Sequence, residues 1–249
     1  MSEPLTVRPG ELRDNWGKLF ARLDDLERSL GSDERYQWQV MLSELLCTAR
    51  SAVERGRLGP EVWHDLIDRA ERLADPGILF RGPAPALLSV DGLRAEFALA
   101  RDAGVARTGT VGYVRGDPLA VAAQRDPDMQ NWVSDLLGEP VVQFGSVFYY
   151  VFERPGDELP TQLHEFAMRR DVPGVAPVIA VSVLLERTAP DDGGRLYRVD
   201  RDFGTEHLDS VPGDCTVYRA TGTVHGRTKL SREALAVNLL LRFVPVSRG

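Results

Sequence analysis

Apolar residues recur at three- and four-residue spacing through the first third of the chain. Leu12, Trp16, Leu19, Leu23 and Leu26 form one stripe, closed by Leu30-Gly31; that period predicts a helix with one buried face. Ser32-Asp33 offers an N-cap for a second helix, in which Trp38, Met41, Leu45 and Ala49 carry the pattern on to Gly56. Pro60, well placed in a first turn, opens a third helix through Trp63, Leu66, Ile67 and Leu73, ending at Asp75-Pro76-Gly77. The middle of the chain is mixed. A helix is expected over residues 89–103, a short strand over 108–114, and a helix over 129–137 that Gly138 stops.

From Val141 the period changes to that of strands. VVQFGSVFYYVFE is β-branched and aromatic, and Arg154-Pro155-Gly156-Asp157 bounds it. PVIAVSVLLE, RLYRV, CTVYRA, TVHG and EALAVNLLLRFVPV follow, with turns at Asp191-Asp192-Gly193-Gly194 and Val211-Pro212-Gly213-Asp214. About eight short strands after a run of helices predict an α+β fold. The expected form is a double-stranded β-helix (jelly-roll) barrel with flanking N-terminal helices. The expected division is a helical region over 1–77, a mixed α/β support over 78–140 and the barrel core over 141–249.

Composition changes this picture little. With 43% hydrophobic and 27% charged residues among 249, the chain has the means to bury a sizeable core. A formal net charge of −7 argues against a general nucleic-acid or anionic-membrane surface, though it leaves room for a basic pocket. Two cysteines, Cys47 and Cys215, make neither a disulfide framework nor a zinc-finger spacing. The polar start and the lack of a long apolar run lead us to expect a soluble, cytoplasmic chain.

Four local features carry the candidate chemistry. Pro155-Gly156-Asp157-Glu158-Leu159 precedes His164; Gly193-Gly194-Arg195-Leu196 forms a paired-glycine turn; Pro212-Gly213-Asp214 leads into a strand; and His225-Gly226-Arg227-Thr228 follows. In this order, over residues 141–243, they resemble the non-haem iron, 2-oxoglutarate-dependent oxygenases. The helical first third carries no such resemblance. In that family two histidines and a carboxylate hold iron(II) on one face, leaving positions open for the co-substrate and dioxygen. The first histidine and the carboxylate stand at i and i+2, since alternate side chains of a strand share a face.

The resemblance implies a metal site built on His164 and His225. The i+2 position after His164 is Phe166, so the third ligand stays open between Glu165, Gln162, Asp171 and water. On a regular strand Glu165 points away from His164, and a bulge would be needed to turn it inward. For the co-substrate the family uses an arginine of the last strand. Here Arg242 shares a strand face with Asn238 and Ala236, and Arg232 lies just before that strand, so Arg242, Arg232 and Asn238 are the cofactor-binding candidates.

Outside that set, His64 and His207 read as ordinary helix and strand-edge residues, and Arg227 as a residue fixing the loop after His225. Alternation puts Gln143 and Tyr149 on one face, expected to look into the barrel. The implied function is an iron(II)- and 2-oxoglutarate-dependent oxygenase acting with dioxygen on a small molecule, a carboxylated metabolite or natural-product intermediate. The alternative is a metal-free barrel that serves as a small-molecule binding protein, isomerase or cyclase.

Overall fold

A computed structural model describes residues 21, 24–25, 32–73, 77–162, 167–168, 175–200, 204–209 and 211–246. The expected helix over 12–30 therefore lies almost wholly outside the described residues, and His164, Glu165, Phe166 and Asp171 lie outside them too. Two helices come first, α1 (Ser32–Glu54) and α2 (Pro60–Leu73), close to the bounds that apolar spacing predicts. Strand β1 (Ile78–Pro83) follows, which the sequence reading did not anticipate. Helix α3 (Val90–Asp102) begins where Ser89 accepts a hydrogen bond from the Gly92 N–H.

The strand expected over 108–114 is a hairpin, β2 (Ala106–Thr108) and β3 (Val111–Arg115). Its turn holds Gly109 at φ 59°, a conformation that glycine adopts without strain. The single helix expected over 129–137 has a partner before it: α4 (Pro118–Arg125), then α5 (Pro127–Leu137), whose first N–H groups Asp126 caps. Gly138 ends α5 as expected, in the left-handed conformation with its N–H on the Ser134 carbonyl.

The run over 141–152 divides into β4 (Val141–Gln143) and β5 (Phe148–Phe152), with Gly145 in the connecting turn at φ 67°. The remaining strands are β6 (Leu159–Gln162), β7 (Ala167–Met168), β8 (Val175–Ala176), β9 (Ile179–Arg187), β10 (Leu196–Val199), β11 (Thr205–His207), β12 (Asp214–Arg219), β13 (His225–Arg227) and β14 (Ala236–Pro245).

The strands form two main antiparallel sheets and one short pair. The larger has eight strands in the order β1-β12-β9-β14-β5-β3-β2, with β4 also paired to β14. The smaller has four, β11-β10-β13-β6, while β7 pairs with β8. This is an α+β arrangement, with helices packed outside both sheets. On the large sheet the odd-numbered face of β9 and β14 (Val181, Val183, Leu239, Leu241, Phe243) packs with Leu93, Phe97, Met129 and Val133 of α3 and α5. On the small sheet Tyr197, Val199 and Val224 share a core with Trp38, Leu42, Leu46 and Trp63 of α1 and α2. Arg50 reinforces that second contact, lying over the Tyr197 ring and donating to Thr161 of β6.

The inner faces of the two sheets meet in a third cluster, where Leu196 and Leu208 touch Ala180, Tyr218, Leu240 and Val244. Alternation then decides which side chains enter this space: residues opposite one another on paired strands share a face. Leu240 pairs with Ser182 and Thr216 with Ser182, so Ser182 belongs to the inner face. No helix among the described residues is long and apolar enough to cross a membrane.

Candidate functional site

His225 opens β13 and is 1% exposed. The Thr223 carbonyl lies 2.6 Å from its Nδ1. A carbonyl only accepts, so Nδ1 carries the proton and Nε2 is left with its lone pair. Tyr218 packs edge-on against the ring, the centroids 4.8 Å apart. Burial pushes the imidazole pKa down to about 4, a trend that Arg227 strengthens and the Thr223 bond opposes. His225 is therefore neutral near pH 7, which is the form that ligates a metal.

Arg227 stands two residues further on and so enters the same space. It donates to Asp209 (3.0 Å), to the Gly194 carbonyl (3.1 Å) and to the Ser182 hydroxyl (2.9 Å). Asp209 also receives Arg187, at 3.1 Å, and all three charged side chains are buried. Asn238 of β14 is 1% exposed, and neither its Oδ1 nor its Nδ2 has a hydrogen-bond partner among the described residues. Such an amide is costly unless something else binds it. These groups surround a cavity of about 20 Å³ that Tyr150, Gln162, Ser182, Tyr218, His225, Arg227 and Asn238 line. Burial raises the pKa of both Tyr150 and Tyr218, so their phenols stay protonated.

A larger cavity of about 540 Å³ adjoins it and shares Tyr150, Leu159 and Gln162 in its lining. Val111 and Tyr113 of β3, Phe148 and Tyr150 of β5, and the Gly109-Thr110 turn form its other walls. The pairing of Tyr113 with Tyr150 puts both rings on one face, and Phe148 follows at i−2.

Of the residues singled out in the sequence, the fold brings His225, Asn238 and Gln162 together. Arg242 is not among the side chains lining that cavity; it donates to the Ser146 carbonyl and lies over the Phe144 ring. Arg232 is exposed and pairs with Asp192 in the loop before β14. His164 and Glu165, and with them the candidate Asp171, lie outside the described residues. Among the described residues no three His, Cys, Asp or Glu side chains gather as a metal would require.

His207 lies on the edge strand of the small sheet, and His64 is half-buried on α2. Tyr149 does not look inward: its hydroxyl donates to Glu96 of α3, and its ring packs with Phe97. Phe148, Tyr150 and Phe152 take the inner face instead. Gln143, opposite the helix-facing Phe243, also lies on the outer side. Arg227, expected to fix the loop after His225, instead lies buried in this cluster, and Asp209, Arg187 and Ser182 were not anticipated. The i+2 spacing of His225 and Arg227 was a usable signal for the place of Arg227.

No protein-family model matches the chain, and no curated protein matches it. Solved structures do. A 2OG-Fe(II) oxygenase family oxidoreductase from Burkholderia pseudomallei aligns over 71% of this chain and 88% of its own, at 14% identity and TM-score 0.52. The non-heme alpha ketoglutarate dependent epimerase SnoN from nogalamycin biosynthesis aligns over 72% of this chain and 82% of its own, at 17% identity and TM-score 0.51. The likeness to these two structures is one of fold.

Proposed function

We propose that this chain is an iron(II)- and 2-oxoglutarate-dependent oxygenase that oxidises a small molecule. The observation that carries the reading is the partnerless Asn238 amide, buried beside a neutral imidazole and a buried guanidinium inside a fold that this superfamily uses. In this reading the two sheets close as a double-stranded β-helix barrel around that space. The donor chemistry fits the implied groups. His225 offers Nε2 of a neutral imidazole to iron, and His164 would be its partner. Glu165, Gln162, Asp171 or water would complete the shell.

The Asn238 amide and Arg227 line the His225 cavity, as Arg242 and Arg232 do not, and so suit a carboxylate of the keto acid better. When bound, iron and 2-oxoglutarate supply an oxidant for an unactivated C–H bond, using dioxygen and releasing carbon dioxide. The chain's own part is positional. Thr223 holds the His225 tautomer, Asp209 holds the Arg227 guanidinium, and Tyr218 and Tyr150 keep water from the cavity and their protons in place. Nucleic acid and membrane have no part in this reading, and the site of action is the cytoplasm.

The test is an anaerobic iron(II) titration followed by absorption, with and without 2-oxoglutarate. A visible charge-transfer band that needs both, and that His225→Ala removes, is the expected result. A folded protein that binds neither iron nor the keto acid would replace this reading with the metal-free binding protein, isomerase or cyclase.

A further inference from the structure

The larger cavity says what kind of molecule is oxidised, an inference that rests on the oxygenase reading. Its volume of about 540 Å³ falls in the range that holds a small organic ligand, about 300–1,000 Å³. Three of its walls are rings. Tyr113 and Tyr150 are directly paired across β3 and β5, and Phe148 stands edge-to-face to Tyr113 with centroids 5.8 Å apart at 84°. Among the described lining residues none is a carboxylate, an arginine, a lysine or a histidine.

Of the neighbouring charges, Arg115 lies opposite Phe148 on the ring-bearing face but does not line the cavity, and Arg107 is engaged. Arg107 pairs with Asp157 and Glu153, and the Asp157 carboxylate also accepts from the Glu153 and Arg154 N–H groups. The polar groups on the wall are neutral ones: the Thr110 hydroxyl, which donates to the Glu158 carbonyl, the Thr108 and Tyr hydroxyls, and the Gln162 amide.

We infer that this cleft takes an uncharged, planar aromatic substrate and delivers it past Tyr150 and Gln162 to the His225 cavity. Rings stack favourably on such walls, whereas an ionised carboxylate placed there would lose its water with no cation among the described lining residues to meet it. This replaces the carboxylated metabolite expected from the sequence. That expectation relied on arginines at the mouth, and Arg242 and Arg232 do not line the cleft.

Binding of two probes of the same ring system, 2-acetylnaphthalene and 2-naphthoate, tests the inference by equilibrium dialysis near neutral pH without iron or keto acid. The neutral ketone should bind at least about ten-fold tighter than the carboxylate. Phe148→Ala should weaken the ketone by about five-fold, as should the milder Phe148→Leu in part. Thr110→Arg, a surface turn change that keeps the core intact, should draw the naphthoate in and narrow the preference.

Equal or tighter binding of the naphthoate, no binding of either probe, or ketone binding indifferent to both Phe148 variants would overturn the inference. An absorption titration with iron(II) and 2-oxoglutarate on the same preparation keeps the two readings apart. A charge-transfer band with no preference for the ketone removes the substrate class alone. A preference for the ketone without that band removes the oxygenase reading and leaves the cleft.

Discussion

Replacing Asn238 by leucine should make the protein more stable and less able to bind 2-oxoglutarate. Both amide atoms of Asn238 are buried without a protein partner. Each such group carries a desolvation cost of about 1–3 kcal/mol. Leucine has the same branched four-heavy-atom side chain as asparagine, and the cavity of about 20 Å³ beside the site takes up part of the extra bulk of its methyl groups. Counting the amide as one such group, a net gain of about 1–3 kcal/mol follows, which for a chain of this length raises Tm by about 2–12 °C.

Scanning calorimetry of the ligand-free protein measures the stability, and a 2-oxoglutarate titration of the iron-loaded protein measures the function. Loss of a hydrogen bond to a charged ligand predicts weakening by about ten-fold or more. A folded Asn238→Leu variant with a lower Tm would refute the stability argument. A more stable variant with unchanged 2-oxoglutarate affinity would refute the role given to the amide.

Other outcomes follow from the same geometry. Asp209→Ala leaves two buried guanidinium groups without their shared carboxylate and should cost about 3–5 kcal/mol in urea unfolding. A loss below about 1 kcal/mol would mean that water reaches the cluster. Arg227→Met should weaken 2-oxoglutarate binding by about ten-fold or more, while Arg242→Met should not; the reverse order would restore the last-strand arginine. Gly193→Ala puts a Cβ 2.1 Å from the Lys229 carbonyl oxygen at a φ of 113° and should cost about 2 kcal/mol or more, read as a fall in Tm. Tyr149→Phe should cost about 1 kcal/mol through the lost bond to Glu96 and leave iron binding unchanged, since Tyr149 points away from His225.

Much of the fold was legible because periodicity is a physical consequence of burial. The α1 and α2 stripes, the Ser89 and Gly138 helix ends and most strands of the second half all followed from spacing and turn chemistry. The misses have specific causes. β1 is half-buried along much of its length and begins just after Gly77, which by itself reads as the end of a helix. α4 carries mostly small residues, with Pro118 and the Asp126-Pro127 step at its ends resembling loop punctuation.

Gly109 and Gly145 each divided an apparent strand: at Gly109 the chain turns back as a hairpin, whereas around Gly145 it leaves β14 for a few residues and rejoins it in the same direction. Tyr149 was placed on the wrong face for a related reason. Every residue of FYYVF is aromatic or branched, so alternation gives two faces without saying which is inner. The helix contacts of Phe97 and Glu96 decide it, and those are tertiary.

The candidate site was half legible, and the missing half shows what strand alternation can and cannot say. His225, Asn238 and Gln162 were named from residue type and place, and the fold converges them. Arg242 met the same criteria, on the correct face of the correct strand, yet it is two positions beyond Leu240. At about 3.4 Å per residue that carries its guanidinium well along β14 from Asn238, where the Ser146 carbonyl holds it. Arg227 is closer to His225 in sequence and on an inner strand, so its charge is delivered where the His225 cavity lies.

The consequence is a polarity gradient across the inner space. Arg227, with Asp209 and Ser182 on its guanidinium, brings buried charge to the His225 cavity, while Tyr150 and Gln162, shared with the larger cavity, open onto ring carbons and neutral hydroxyls. In the proposed reading, a charged keto acid and an uncharged substrate would be sorted between the two adjoining cavities by desolvation cost alone, before any shape is recognised.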